Sequence, residues 1–172
     1  MIEQLVISIL YSFMGAIVGG SITYYFFQKR IKFSILHEER AKVIRELYEK
    51  LVIFEESMIS LTSPLKFYGD IKEKEKLKIS GEKGNDFENY YRRNKIYFDK
   101  RICYILEEIS GEMRHSWITF SVYTDEIDDS IEVNNAKEKW EERISAWKKI
   151  VDKVPLLKDK LEEEFRRILG VK

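Results

Sequence analysis

The sequence has little cysteine, histidine and proline, and no excess of either charge. Its single cysteine, Cys103, excludes an intramolecular disulfide, and with only two histidines it under-supplies a Cys/His zinc site. The 30 Lys/Arg and 30 Asp/Glu residues give zero net charge, which argues against a nucleic-acid coat protein or an acidic tail. Two prolines and eight glycines exclude collagen-like and low-complexity chains.

Motifs that carry catalysis are also missing. There is no Gly-x-Ser-x-Gly elbow, phosphate-binding glycine loop or dinucleotide fingerprint. His37 lacks the second histidine, four residues on, that a zinc-binding His-Glu-x-x-His helix requires. The many carboxylates alternate with basic residues, a pattern typical of solvated helix faces. We therefore expect no enzymatic activity, no cofactor and no metal site.

The charges are unevenly distributed along the chain. The first 27 residues contain one charged side chain, Glu3, and 23 consecutive uncharged residues run from Leu5 to Phe27. As a helix this run is about 34 Å long, enough to cross a bilayer. A cleaved signal peptide needs a positive N-terminal region and a shorter apolar stretch. We therefore predict a retained transmembrane anchor at residues 1–30 and a cytoplasmic domain at residues 31–172.

The residues that flank this run predict its orientation. Lys29, Arg30 and Lys32 follow it directly, and no Lys or Arg precedes it. By the positive-inside rule, the body of the chain is cytoplasmic and the N-terminus is outside, in a single-pass protein of the inner (plasma) membrane. Tyr24 and Tyr25 suit an interfacial aromatic belt.

Small residues form one face of the predicted span. They recur every three or four residues, and they are Ser8, Ser12, Gly15, Gly19 and Thr23. Small residues let helices approach closely in a membrane, so the face predicts a homo-oligomer within the lipid bilayer. Two alternatives stay open: such residues are common in membrane spans, and the hydroxyls could line a narrow wet pore unless each donates to a backbone carbonyl.

The remainder of the chain has the periodicity of helices and no alternating run typical of a strand. Apolar residues recur at helical spacing from Leu36 to Leu61. Pro64, three glycines and a Lys/Glu run then predict a mobile connection over residues 63–86. The fold class is therefore all-α, an N-terminal transmembrane helix continuing into a cytoplasmic helical bundle.

Capping residues predict the helices of the second half. Asp86 begins a short helix through Asn94, and Asp99 begins a longer one. Another begins at Asn134 or Asn135, and Pro155 opens the last helix, with Gly170 just after its end. The predicted inward residues are Ile102, Leu106, Ile109, Met113, Trp117, Phe120, Ile127, Trp140, Ile144, Trp147, Ile150, Leu157, Leu161, Phe165 and Ile168.

One cluster combines tyrosines with basic residues. It consists of Tyr90, Tyr91, Arg92, Arg93, Lys95, Tyr97 and Arg101. Bases can stack on aromatic rings and phosphates can pair with such cations, so the cluster is a candidate contact for a nucleotide or oligonucleotide. The alternative is structural: the rings pack at a helix end while the cations balance Glu88, Asp99 and Glu107.

The whole layout resembles a known type of protein. The apolar run with its basic flank, the helical stretch at 40–51, the Tyr/Arg stretch at 89–98 and the ending at 163–171 are similar to a broad group of bacterial single-span proteins with helical cytoplasmic domains. By architecture, without a diagnostic motif, the chain also resembles the channel-forming effector of the Hailong antiphage system, which an oligonucleotide from its partner enzyme holds closed. No functional residue follows from this resemblance.

Two classes of function agree with these patterns. The first is a membrane effector of antiphage defence, whose spans associate into a pore or disrupt the membrane under control of the cytoplasmic domain. The second is a tethered, non-catalytic scaffold that recruits a cytoplasmic partner protein. Small-residue packing serves both.

The orientation is testable by reporter fusion. The three bases after the apolar run should keep residues 33–172 inside the cell. A C-terminal alkaline phosphatase fusion should therefore be inactive, and a C-terminal green fluorescent protein fusion should be bright. An active phosphatase fusion would reverse the predicted topology.

Overall fold

The computed structural model describes the backbone of residues 2–65, 71–126 and 136–171, and the side chains of residues 14–65, 71–122, 137 and 140–171. The described part contains only helices, turns and short connections, which confirms the all-α class. The helices are α1 (Ile2–Thr62), α2 (Glu73–Asn94), α3 (Lys100–Glu126), α4 (Ala136–Lys148) and α5 (Val154–Leu169). A 3₁₀ turn, Lys95–Tyr97, follows α2, and a π-helical turn, Lys149–Lys153, joins α4 to α5.

The chain divides into two compact units, residues 1–41 and residues 42–172. The described residues of the first unit, 2–41, all belong to α1. Over the described residues, no helix meets the length and hydropathy needed to cross a membrane. The role of the run from Leu5 to Phe27 as a span therefore stays a prediction.

Four helices of the second unit, among its described residues, form a bundle in which neighbouring helices are antiparallel. Residues 50 and 60 of α1 contact residues 86 and 76 of α2, and residues 48 and 55 of α1 contact residues 162 and 158 of α5. In the same way α3 runs antiparallel to both α2 and α5. The second half of α1, with α2, α3 and α5, therefore alternates in direction around one core.

The core consists of the apolar stripes that the sequence predicts. Leu47, Leu51 and Met58 of α1 are fully buried, which confirms the stripe there from Val43 onward. Leu36, which the same pattern places inward, is 51% exposed. The α3 and α5 stripes are confirmed at these buried positions: Ile102, Leu106, Ile109, Met113, Phe120, Leu157, Leu161 and Phe165. Trp117 and Ile168 pack partly buried against this core, and Ile127 lies outside the described residues.

Polar contacts between α1 and α5 set the register of that helix pair. The Lys158 ammonium donates to the Glu55 carboxylate at 2.6 Å, and Glu55 is only 5% exposed. Two turns earlier on α1, the Tyr48 hydroxyl donates to Glu162. Burial, followed by the hydrogen bond to Glu162, raises the pKa of Tyr48 well above its ordinary value, so it remains a donor. A buried ion pair fixes register because a shifted helix would leave a charge unpaired.

The prediction that residues 63–86 connect two helices is wrong from residue 73 onward, where α2 is already helical. Lys, Glu and Leu are strong helix formers, so the charged run supports the first turns of α2. Asp86 is accordingly not a cap: it lies inside α2 and pairs with Lys50 at 2.7 Å. Residues 66–70 of the predicted connection lie outside the described part.

Two glycines lie inside α2 because other side chains pack against them. A Cβ at Gly84 would lie 2.9 Å from the Phe54 ring of α1, and one at Gly81 would lie 3.2 Å from the Trp117 ring of α3. Glycine has a low helix propensity and destabilises a helix interior, but here it lets two aromatic rings lie directly on the α2 backbone. Gly81 and Gly84, which the sequence pattern assigns to a connecting segment, are therefore positions of close helix packing.

Several helix ends agree with the sequence. The Asp99 carboxylate accepts a hydrogen bond from the Ile102 amide at 3.0 Å, which confirms the cap of α3. Gly170 ends α5 with φ +68°, as the C-terminal pattern predicts. The cap predicted at Asn134 or Asn135 lies outside the described residues, immediately before the observed start of α4 at Ala136.

Pro155 lies in the first turn of α5, as predicted, but a π-helical turn rather than a loop joins α4 to α5. Val154 donates to the Lys149 carbonyl, so the helix widens into a π-turn and continues into α5. Pro155 has no amide hydrogen and its ring crowds the preceding turn, which a wider turn accommodates. Trp140 is 50% exposed, so its inward assignment is wrong, whereas Ile150 in the π-helical turn is fully buried as predicted; Ala146 is the buried residue of α4. Of the other positions predicted inward, Ile144 and Trp147 are half-buried.

The packing at Gly84 predicts opposite effects at two helical glycines. Gly84→Leu should destabilise the bundle by about 1–3 kcal/mol, because the new side chain has to displace the buried Phe54 ring. Gly111→Leu in α3 meets nothing within 4 Å and should be neutral or stabilising. Urea unfolding of the full chain in mild detergent, followed by tryptophan fluorescence, measures both. Equal effects would show that Gly84 is not a close-packing position.

Candidate functional site

The small-residue face of α1 is exposed where its side chains are described. Gly15 and Gly19 are exposed, and a Cβ at either would meet nothing within 4 Å. Thr23 is exposed as well, while Ser8 and Ser12 lie outside the residues with described side chains. The described part of the face is therefore smooth and open.

The hydroxyls of this segment donate to the backbone of their own helix. Thr23 donates to the Gly19 carbonyl at 2.9 Å, and Ser21 donates to the Ile17 carbonyl at 2.8 Å. Each hydroxyl proton thus has an acceptor four residues earlier, the arrangement that lets Ser and Thr lie in apolar surroundings. Only Thr23 of these two residues belongs to the small-residue face, so the face has one described hydroxyl, and its proton is donated within the helix.

Two tyrosines of the Tyr/Arg cluster form hydrogen bonds to different helices. Burial and a hydrogen bond to Glu46 of α1 raise the pKa of Tyr90 to about 12. Tyr91 is buried and donates to Glu107 of α3 at 3.0 Å. Tyr97 is half-buried against the core. All three rings are thus at least partly covered.

The cations of the cluster also separate. Lys95 pairs with Glu107 at 2.7 Å, and its ammonium lies 5.7 Å from the Tyr91 ring centre. Arg101 pairs with Glu164 of α5 at 2.8 Å. Arg93 is exposed, and Arg92 lies on another side of α2. The structure therefore brings Tyr91 and Lys95 together and disperses the rest, and a nucleotide contact by the cluster stays a prediction.

Arg92 lines a groove between α2 and α3 that the sequence does not reveal. The groove has a volume of about 670 Å³. Its walls come from α2 and α3, with the Phe54 ring of α1 against Gly84. Its charged and aromatic lining residues are Glu88, Arg92, Arg114, Trp117 and Phe54.

Glu88 organises the polar side of the groove. Its carboxylate accepts hydrogen bonds from the Ser110 hydroxyl and the Arg114 guanidinium, and Arg92 lies 3.9 Å away. Burial alone raises the pKa of Glu88, but the bonds from Ser110 and Arg114 and the charges of both arginines lower it below its ordinary value. Glu88 is therefore a carboxylate at neutral pH, in contact with both helices.

Sequence reasoning missed this groove because its residues are far apart in the chain. Glu88 and Arg114 are 26 positions apart and look like ordinary surface charges. The one usable signal is the Gly81/Gly84 pair on a helix face, which marks close approach of neighbouring elements. Because these glycines also indicate a connecting segment, the sequence does not predict the groove.

Comparison with known proteins gives no assignment: no protein-family model, curated protein or solved structure matches the chain. Among the residues with described side chains, no group of three His, Cys, Asp or Glu residues is placed to hold a metal ion. Cys103 is free and packs, partly buried, against the core.

The Glu88 contacts predict a pH-dependent contribution to stability. Because the folded pKa lies below the ordinary 4.5, the contribution is complete above pH 4.5 and is lost as the pH falls through the lower folded value. Glu88→Gln should cost on the order of 1 kcal/mol at pH 7 and progressively less below pH 4.5. Urea unfolding at several pH values measures this difference.

Exposed Glu163 provides the matched control. Glu163→Gln should change stability little at any pH. A Glu88→Gln effect that is the same at pH 7 and pH 3 would show that the charge of Glu88 is unimportant.

Proposed function

We propose that the chain is a non-catalytic, membrane-anchored protein that self-associates through the N-terminal part of α1, and whose helical bundle controls the permeability of the resulting assembly. The resemblance in layout to an antiphage effector adds the expectation that this assembly damages the membrane during bacterial defence. No part of the proposal requires a cofactor or metal.

The uncovered apolar surface of α1 carries the proposal. From Met14 to Phe27 the large apolar side chains are 52–65% exposed, and they occur on all sides of the helix. A helix that is apolar all round belongs in lipid or inside an assembly. The described segment is the second part of the 23-residue uncharged run, which is long enough for a bilayer.

Self-association is supported by the open glycine face. Without a hydrophobic force between helices in lipid, association depends on van der Waals packing at small residues. Gly15 and Gly19 leave the backbone bare on one side, and Thr23 on the same face has its hydroxyl bonded internally. Copies of α1 can therefore approach closely there without burying an unpaired donor.

Orientation and control follow from what comes after the apolar run. Lys29, Arg30 and Lys32 are exposed directly after it, which supports a cytoplasmic body at the plasma membrane. From Val43 onward the same helix supplies core residues of the bundle. A ligand or partner protein that changes bundle packing would thus act on the helix that carries the apolar surface.

Replacing the two glycines separates assembly from anchoring. Gly15→Leu/Gly19→Leu adds branched bulk on the proposed contact, forfeiting packing of about 1–2 kcal/mol in model systems. Membrane insertion should persist because hydrophobicity rises. Cross-linking in native membranes should show a weaker oligomer, and dye leak should fall with it, since one helix cannot enclose a path for ions.

Ile17→Leu is the matched control, because Ile17 lies on roughly the opposite side of α1 from Gly15. It should leave both the oligomer and the leak unchanged. An unchanged oligomer in the glycine double variant would contradict association through this face. Retained partner recruitment, with no leak from any variant, would favour the scaffold function instead.

A further inference from the structure

The α2–α3 groove has the size and construction of a ligand site. Its volume of about 670 Å³ falls in the range of small-molecule pockets, about 300–1,000 Å³. Gly81 and Gly84 let Trp117 and Phe54 lie on the α2 backbone, so aromatic rings line it where side chains of α2 would otherwise project. The groove lies wholly within residues 42–172.

The accessible charge of the groove is positive. Glu88 has a side-chain exposure of 20%, whereas Arg92 and Arg114 are 68% and 60% exposed. With one carboxylate and two guanidiniums, the lining of the groove has a net charge of +1. An entering molecule therefore meets guanidinium groups first, and these match carboxylate and phosphate oxygens in a bidentate fork.

Arg92 makes only weak contacts within the fold, so its position on α2 is not explained by stability. Its contact to Glu88 is 3.9 Å and its hydrogen bond to Asn89 is 3.4 Å, both long. Glu88 is already satisfied by Ser110 and Arg114. Arg92 is thus a poorly held cation at the edge of a groove, able to turn toward a ligand at small cost.

The end of the groove near Gly81 is apolar, and its Trp117 ring is held in place. The Trp117 indole donates its N–H to the Leu77 carbonyl at 3.0 Å, which orients the ring and uses its only polar atom. Ile118 beside it is 48% exposed and lines the same groove. A flat apolar group can pack there, but a polar one would lose its hydrogen bonds to water.

We propose that the α2–α3 groove binds a small oxyanion, a carboxylate or phosphate monoester, that carries a flat aromatic group: Arg92 and Arg114 hold the anion while Trp117 and Ile118 contact the ring. This site is independent of the face of α1 used for self-association.

The test is binding of 1-naphthyl phosphate to the full chain in mild detergent, measured by equilibrium dialysis with an empty-micelle blank. Saturable binding is expected. Inorganic phosphate and uncharged 1-naphthol should each bind at least about tenfold more weakly, because each lacks one half of the recognised chemistry. The corresponding carboxylate, 1-naphthoate, tests whether the site distinguishes the two oxyanions.

Charge removal locates the site. Arg92→Gln should weaken binding, and Arg92→Gln/Arg114→Gln should weaken it about tenfold or more, since charge-assisted bonds are lost. Arg93→Gln, an exposed neighbour on α2 outside the groove, should leave the affinity unchanged. Arg92→Gln alone preserves the Glu88–Arg114 pair, so its effect does not depend on bundle stability.

Three results would overturn the proposal: no saturable binding at millimolar probe, equal binding of 1-naphthol, or an affinity unaffected by the double substitution. The assay needs neither an oligomer nor a bilayer. If the membrane proposal fails, the binding result can still be interpreted. If the ligand proposal fails, the self-association result still stands.

Discussion

The exposure of apolar side chains changes along α1, and the proposed function depends on this change. Before residue 42, α1 exposes large apolar side chains such as Ile17 and Phe26, and after it the same helix buries Leu47, Leu51 and Met58 completely. Exposed apolar surface of this extent in water is unfavourable, at about 25 cal/mol per Å². The exposed apolar side chains of the first part of α1 are the observation that supports the proposed function.

The second part of α1 depends on a different set of interactions. The Glu55–Lys158 pair and the Tyr48–Glu162 bond fix α1 against α5, and Asp99 both caps α3 and pairs with Arg167 of α5. On the other side, glycines bring α2 against aromatic rings of α1 and α3. Register and close approach together create the groove in which Glu88 and the two arginines meet.

The sequence predicts those features that depend on local patterns. The all-α class, the apolar stripes from Val43 onward, the Asp99 cap and the Gly170 terminus each require only neighbouring residues, and the structure confirms them. Features that depend on distant partners were missed. Gly84 indicates a break in α2 unless Phe54 is known to cover it, and Trp140 fits the same apolar pattern as the buried Ile150 but is 50% exposed. The candidate groove also depends on distant partners, because no local sequence pattern links α2 to α3.

Uptake of a membrane-impermeant dye by bacterial cells tests the central claim most directly, comparing the full chain with a chain that begins at residue 33. If the apolar part of α1 forms the permeable assembly, cells that produce the full chain should take up propidium and cells with an equal amount of the shortened chain should not. Equal uptake with both chains, or none with the full chain at matched amounts, would contradict the account.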